Sequence, residues 1–317
     1  MMLKNYFSLI LWLLLTSLLT ISAQKGKPEV KLFSPGIIST GMNERDLAIS
    51  MDGKEYYNTV VGPKANFSAI VMRSFENNIW SDVEVLPFSG NYSDLEPAFS
   101  PDGIRLYFAS NRPLEKEGKT KDFDIWYVQR KGKNAWGEPV RLDTIINSTC
   151  DEFYPCISKK GNLYFTAAYP EAIGQEDIYL SNFIDGQFQK PMNLGDSVNS
   201  TAYEFNAFVD PDEQFIIFSA YARADDQGGG DLYISHKNKD RHWGLSKNMG
   251  PNINSKKLDY CPYVSSDKKT FYFTSERIQD KKLKSKKISF KDVSDKINLN
   301  GNGLGDIYFI NSMVLSK

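Results

Sequence analysis

The chain has 317 residues, a formal net charge of -1 and 41 % hydrophobic residues, with 17 Tyr and 20 Phe among them. That balance gives no electrostatic reason to expect nucleic acid as a partner, and the apolar share is large enough for a substantial core built from strand formers. Three cysteines (Cys150, Cys156, Cys261) are too few and too odd in number for a disulfide scaffold of this size. They read as buried thiols, with a Cys150–Cys156 bridge left open.

Residues 1–23 differ from the rest. Lys4 precedes an almost uninterrupted apolar run over residues 6–21, and Ser22-Ala23 offers a small residue for cleavage before Gln24. This is the pattern of a secretory signal peptide, so export to a periplasm, an outer-membrane surface or the extracellular space is expected. An uncleaved anchor is the alternative, although the run is short for a span of ~20 residues. The mature chain, residues 24–317, carries no second long apolar run and is expected to have no membrane span.

From residue 44 onward one unit recurs five times, as ERDLAISMDGKEYY from Glu44, DLEPAFSPDGIRLYF from Asp94, EFYPCISKKGNLYF from Glu152, EFNAFVDPDEQFIIF from Glu204 and DYCPYVSSDKKTFYF from Asp259. The starts lie 50, 58, 52 and 55 residues apart. Each unit opens with a short apolar strand and a tight turn such as Ser100-Pro101-Asp102-Gly103, where Pro and Gly sit as a type I turn requires. A second strand follows, then a spacer of variable length. A third strand begins at Asp124, Asp177, Asp231 or Asp306, each followed by an apolar pair. A fourth is marked by an aromatic residue six positions before an apolar one, as in Trp136 and Leu142. One four-stranded meander cannot bury both of its own faces, so such units must stack into a closed array. The pattern predicts an all-β, five-bladed β-propeller of antiparallel four-stranded blades.

The ends support the count. The fifth unit stops after its third strand, whereas residues 30–40 match the fourth strand and linker of the other units, with Ile37-Ile38-Ser39-Thr40 set against Ile146-Asn147-Ser148-Thr149. The N-terminal strand is therefore expected to complete the last blade and remove the open sheet edge. A sixth blade would have to lie within residues 278–304, which show no strand pattern.

The turn Ser100-Pro101-Asp102-Gly103, the run Tyr107-Phe108-Ala109-Ser110-Asn111-Arg112, the start Asp124-Ile125-Trp126 and Trp136-Gly137-Glu138-Pro139 resemble the TolB-like, WD40-like propeller repeat. The linker Asn147-Ser148-Thr149 with Glu152 is similar to the version in cell-envelope proteins of Bacteroidetes-type bacteria. The resemblance covers nearly all of residues 30–310 and implies a secreted or periplasmic interaction scaffold. Some relatives add an OmpA-like peptidoglycan-binding domain. This chain has no room for one, so cell-wall binding is not carried over.

A propeller sorts its loops by face. The short turns between first and second and between third and fourth strands share one face, here the turn face. The long spacers and blade-to-blade links share the other, the linker face, where variable loops point to binding. On the linker face Glu44, Asp94, Glu152, Glu204 and Asp259 occupy one equivalent position. Such a ring is either an electronegative funnel for a cation or basic ligand or a structural device. In the structural case each carboxylate takes linker N–H groups or pairs with a blade arginine, Arg112 and Arg277 being candidates. Unpaired like charges would raise one another's pKa. Asp124, Asp177, Asp231 and Asp306 form a second column with the same two readings, mainly structural. Asn91, Asn147, Asn199 and Asn254 are expected to close the links by side-chain-to-backbone bonds.

The fifth spacer is lysine-rich, with Lys281, Lys282, Lys284, Lys286, Lys287, Lys291 and Lys296. It reads as a solvated loop, and alternatively as a lid over the acidic ring or a contact for an anionic surface. Asn298-x-Asn300-x-Asn302-Gly303 lacks the carboxylates of a calcium loop, and its twelfth position is Phe309. No metal or cofactor is expected. His236 and His242 are the only histidines and flank one hairpin, and no nucleophile elbow or phosphate loop occurs, so no catalytic residue is assigned. The expected function is a binding scaffold for a protein or an envelope polysaccharide. The alternative is a glycosidase-like enzyme drawing two carboxylates, roughly 5–9.5 Å apart, from the acidic ring.

Overall fold

A computed structural model describes residues 28–115, 118–132, 135–279 and 287–315. The apolar N-terminal run and Lys281, Lys282, Lys284 and Lys286 lie outside the described residues. The fold is a five-bladed β-propeller, nearly all β, with one α-helix among the described residues.

Each blade is an antiparallel meander. Blade one uses Asn43–Ile49, Glu55–Val61, Ser68–Glu76 and Glu84–Val85. Blade two uses Asp94–Phe99, Arg105–Ser110, Asp124–Gly132 and Val140–Arg141. Blade three uses Glu152–Ile157, Leu163–Ala167, Asp177–Ser181 and Met192–Asn193. Blade four uses Tyr203–Val209, Phe215–Tyr221, Asp231–His236 and Lys247–Asn248. Blade five uses Asp259–Val264, Thr270–Ser275 and Asp306–Asn311, and takes Lys31–Leu32 as its outer strand.

The ring closes as the sequence pattern requires. Lys31 and Leu32 pair with Phe309 and Tyr308. The Phe33 N–H then donates to Ile307 O at 2.8 Å, just as Leu86, Leu142, Leu194 and Met249 donate to Ile70, Ile125, Ile178 and Leu232 in the other blades. Apolar burial lies between blades rather than within them. Tyr107 and Ile125 of blade two pack with Leu163, Phe165 and Tyr179 of blade three, and Ile217 and Leu232 of blade four pack with Phe271 and Tyr308 of blade five. At the closure, Phe33 stands among Tyr56, Trp80, Tyr272 and Phe309, with ring centroids 5.0–6.3 Å apart.

The links are fixed by one repeated bond pair. Asn147, Asn199 and Asn254 each accept the third-strand N–H of Ile125, Ile178 or Leu232 at 2.7–2.9 Å, and donate back to the same residue's carbonyl. The sequence expectation for Asn91 is corrected here. Asn91 is exposed, and Ser89, five residues before Asp94, takes the seat by accepting Ile70 N–H at 2.9 Å. Ser39 does the same for Ile307 in blade five. The hydroxyl is shorter than the amide but still reaches, because it accepts the same N–H.

Between Ser275 and Asp306, where a sixth blade would have to be, the described residues form a helix, Phe290–Ile297, and one bridge, Ile278 to Asn302. Ser289 and Asp292 build a reciprocal capping box at the helix start.

Candidate functional site

All five carboxylates of the first acidic column are buried. Their burial is matched by local donors. Glu44 accepts the Thr40 backbone N–H and hydroxyl. Glu152 accepts the Ser148 N–H and, at 2.6 Å, its hydroxyl. Glu204 accepts the Ser200 N–H at 2.7 Å and hydroxyl at 2.6 Å. Asp259 accepts the Ser255 N–H at 2.5 Å. In blade two the corresponding linker residue is Gly90, and Asp94 instead pairs with Arg112 Nη2 at 2.6 Å.

Arginines complete this arrangement. Arg112 also donates to Phe88 O and Ser110 Oγ, and Arg277 binds Asp259 at 2.6 Å, Ile253 O at 2.7 Å and Ser275 Oγ at 2.8 Å. A third clamp, Arg223, joins Glu204 at 2.8 Å to Val198 O. Each guanidinium lies over aromatic rings of its own blade, Arg223 at 4.6 Å from the Tyr233 centroid and Arg277 at 4.8 Å from Tyr308. The sequence pattern Ser-x-Arg identifies two clamps. Arg223 follows Tyr221-Ala222 and carries no such signature. Tyr169 takes the equivalent place in blade three by donating to Ile146 O at 3.0 Å.

The second column is held likewise. Asp124 meets Arg141 at 2.6 Å and Lys121 at 2.7 Å. Asp177 accepts Ile173 N–H at 2.5 Å and Asn193 Nδ2 at 2.6 Å, and Asp231 accepts Gln227 N–H and Asn248 Nδ2, both at 2.7 Å. Asp306 accepts Gly301 N–H at 2.7 Å. Burial pushes the carboxyls of Glu44 and Glu152 up to about 7, against the opposing pull of Thr40 and Ser148.

The residues that converge on the propeller axis come from a different position, two after the first column. Asp46, Glu96, Tyr154, Asn206 and Cys261 have φ of 60, 62, 51, 50 and 50°. Each sits in a bulge of its innermost strand, where the pairing register with the second strand shifts. The left-handed residue turns one side chain per blade inward, and all five are buried, exposed by 1–8 %. Their contacts cross the axis. Arg45 donates to Asp46 at 2.7 Å and to Glu96 at 2.8 Å. Asn206 Nδ2 of blade four reaches Glu96 of blade two at 3.1 Å, and Tyr154 N–H reaches Glu96 Oε2 at 2.6 Å. Cys261 Sγ donates to Asp46 Oδ1 at 2.6 Å, and Tyr154 OH to Pro262 O at 3.1 Å. Burial pushes the Glu96 carboxyl up to about 8, with Arg45 opposing, and pushes the Cys261 thiol and Tyr154 hydroxyl up as well. The repeat alignment does not display this ring because its five members differ. One signal was available: Pro97, Pro155 and Pro262 follow three of them, and proline inside a strand marks a bulge.

Above this polar layer lies a cavity of about 250 Å³. Its lining comes from the second halves of the innermost strands and the turns after them, so it faces the turn side, opposite the acidic column. Ile49, Phe99, Ile157, Phe208 and Tyr263, one from each blade, supply apolar wall, and Glu96 and Tyr154 contribute at the inner end. Lys159, Asp210 and Lys268 also line it, with Lys268 Nζ 2.6 Å from Asp210. Of the lining residues only Glu96 and Asp210 are acidic. The three cysteines are unpaired, and no cluster of three or more metal-ligating side chains occurs among the described residues.

No protein-family model matches the chain, and no curated protein matches it. Solved structures do. A complex of BT0996 with RGII superposes with a TM-score of 0.54 at 10 % identity, covering 90 % of this chain and 91 % of that one. A glycoside hydrolase gives 0.52 at 10 % identity, with 89 % and 90 % covered. TolB from Acinetobacter baumannii is similar at 13 % identity and a TM-score of 0.46, with 86 % of this chain spanning 55 % of that one. At these identities the likeness is one of fold.

Proposed function

We propose that this chain is an exported propeller that works as a binding module, engaging a protein or glycan of a bacterial cell envelope through the axial cavity on its turn face. One observation carries the reading. The axis offers an apolar-walled recess with a few polar groups at its inner end and rim, which is the composition of a ligand pocket. Both columns of carboxylates, by contrast, are engaged by donors of the blade links and of their own blades. Export rests on the apolar run at residues 6–21, and mature protein beginning at Gln24 in a secreted fraction would support it. The binding test compares peptide and glycan arrays probed with the wild type and with Ala98→Trp, which fills the cavity from its wall. Binding lost at unchanged melting temperature supports the recess as the site, and binding retained by the filled variant sinks it.

A second reading has a specific observation behind it. Glu96 and Asp210 line the same cavity, and Glu96 is displaced toward the protonated form that a general acid needs. A carbohydrate-active enzyme would use these two rather than the acidic column. Turnover of a polysaccharide abolished by both Glu96→Gln and Asp210→Asn would favour it. No turnover across a polysaccharide panel favours the binding module.

A further inference from the structure

The helix Phe290–Ile297 stands against the usual arrangement of an amphipathic helix. Phe290, Val293 and Ile297 recur at i, i+3 and i+7 and so share one face. That face points to solvent, with Phe290 87 % and Ile297 63 % exposed, and no residue of the helix is buried. Ile288 and Leu299, just outside the caps at either end, are exposed as well. An eight-residue helix is marginal by its own propensity, so it is held by its caps and by the segment after it. Asn302 Nδ2 binds Gly41 O at 3.1 Å and Ile297 O at 2.9 Å, and Gly305 N–H binds Asn43 Oδ1 at 3.0 Å. A Cβ on Gly41 would come within 2.0 Å of Asn298 O, so the helix end is seated directly on the link between blades five and one. The stripe is therefore presented from the linker face by a braced element.

Charge selects the occupant. Lys287 and Lys296 are exposed just before the helix and in its last turn, while Lys291 is paired with Asp295 at 2.5 Å. A second copy of the chain would bring Lys287 and Lys296 against their own like charges. Apolar side chains bordered by lysines match an anionic phospholipid surface, where the rings and branched chains enter the acyl boundary and the ammonium groups stay with the headgroups. We propose that Ile288, Phe290, Val293, Ile297 and Leu299, with Lys287 and Lys296, form an interfacial anchor for an anionic phospholipid bilayer. No described helix is long and apolar enough to cross a membrane, so the mode is in-plane seating. It is independent of what the axial cavity binds and leaves that cavity facing away from the lipid.

The test is co-sedimentation of residues 24–317, which contain the whole closed ring, with phosphatidylglycerol-containing vesicles and with vesicles of phosphatidylcholine alone. Binding is expected to the anionic vesicles and to fall as added salt shortens the screening length. Phe290→Ser with Ile297→Ser should weaken it about tenfold or more, and Lys287→Glu with Lys296→Glu at least about fivefold for each charge removed. These side chains are exposed, so both variants should keep the wild-type melting temperature, read in parallel. Absence of binding to anionic vesicles at low salt overturns the proposal, as does binding that both variants retain. A dimer in solution that Phe290→Ser with Ile297→Ser dissolves would assign the stripe to a second copy and overturn it too.

Discussion

Arg45 is the one cation in the axial layer among the described residues, and replacing it with methionine tests how that layer is held. Its guanidinium serves two carboxylates at once, Asp46 at 2.7 Å and Glu96 at 2.8 Å, both almost wholly buried, while Arg45 itself keeps 21 % of its side-chain exposure. Removing one partner of a buried pair costs about 3–5 kcal/mol because the other charge is left without compensation. The partial exposure of Arg45 places the expected loss at the lower end, about 3 kcal/mol, or about 6 °C in melting temperature for a domain of this size. The pH dependence identifies the cause. At neutral pH Glu96, with its carboxyl near 8, is largely protonated, and the loss falls on the Asp46 contact. As pH rises through about 8, wild-type Glu96 ionises beside Arg45, whereas the variant has no cation to stabilise that charge. The deficit should therefore widen between pH 7 and pH 9. Glu96→Gln in the Arg45→Met background should remove that widening and make the two changes non-additive by about 1 kcal/mol or more. Urea unfolding of the four proteins at both pH values measures this. A deficit below about 1 kcal/mol, or one equal at pH 7 and pH 9, would refute the account.

Other outcomes follow from the same geometry. Glu44, Glu152 and Glu96 have folded-state pKa values near 7, 7 and 8, above the ordinary 4.5. The folded state thus binds more protons than the unfolded one between those limits, so stability from these groups is present below about pH 4.5 and lost as pH rises to 7–8. The melting temperature should be several degrees higher at pH 5.5 than at pH 8, and a rise over that interval would contradict the assignment. Asn199→Ala leaves the buried Ile178 N–H without its acceptor and should cost about 2 kcal/mol, while Asn91→Ala at an exposed position should stay within about 0.5 kcal/mol. Equal losses in calorimetry would undo the equivalence drawn between Ser89 and the asparagines. Phe33→Ala removes the centre of the aromatic cluster between blades five and one and should cost about 2 kcal/mol, and a neutral result would show that the closure is held elsewhere.

The architecture was legible because its signals repeat. The phase of the strands, the blade count and the role of residues 30–33 all follow from matching one unit to the next. The contacts of Asp94 with Arg112 and of Asp259 with Arg277 are local, within 18 residues of sequence, so a sequence argument could reach them. The axial layer was not legible for the opposite reason. Asp46, Glu96, Tyr154, Asn206 and Cys261 share a backbone conformation and no side-chain chemistry, and their contacts run up to 215 residues. The cavity belongs to all five blades together and to none of their sequences. The helix at 290–297 carries a readable capping box, Ser289 with Asp292, yet the surrounding lysines make the segment look like solvated loop.

The closing strand bears on how the molecule is made. Lys31 and Leu32 leave the ribosome first among the described strands, but their partners Tyr308 and Phe309 leave last. For the whole interval of synthesis Phe33 has no Ile307 carbonyl to bond and no Phe309 to pack on. The ring can nucleate blade by blade from local hairpins, yet it cannot become a ring until Asp306–Asn311 has been made, and closing it then carries a large loop-closure cost. Until then blade five presents an open edge and an unfilled aromatic seat, the kind of surface that draws in neighbouring chains. Pairing of Lys31 and Leu32 with Phe309 and Tyr308 conceals that edge, and a chain cut before Asp306 would leave it exposed.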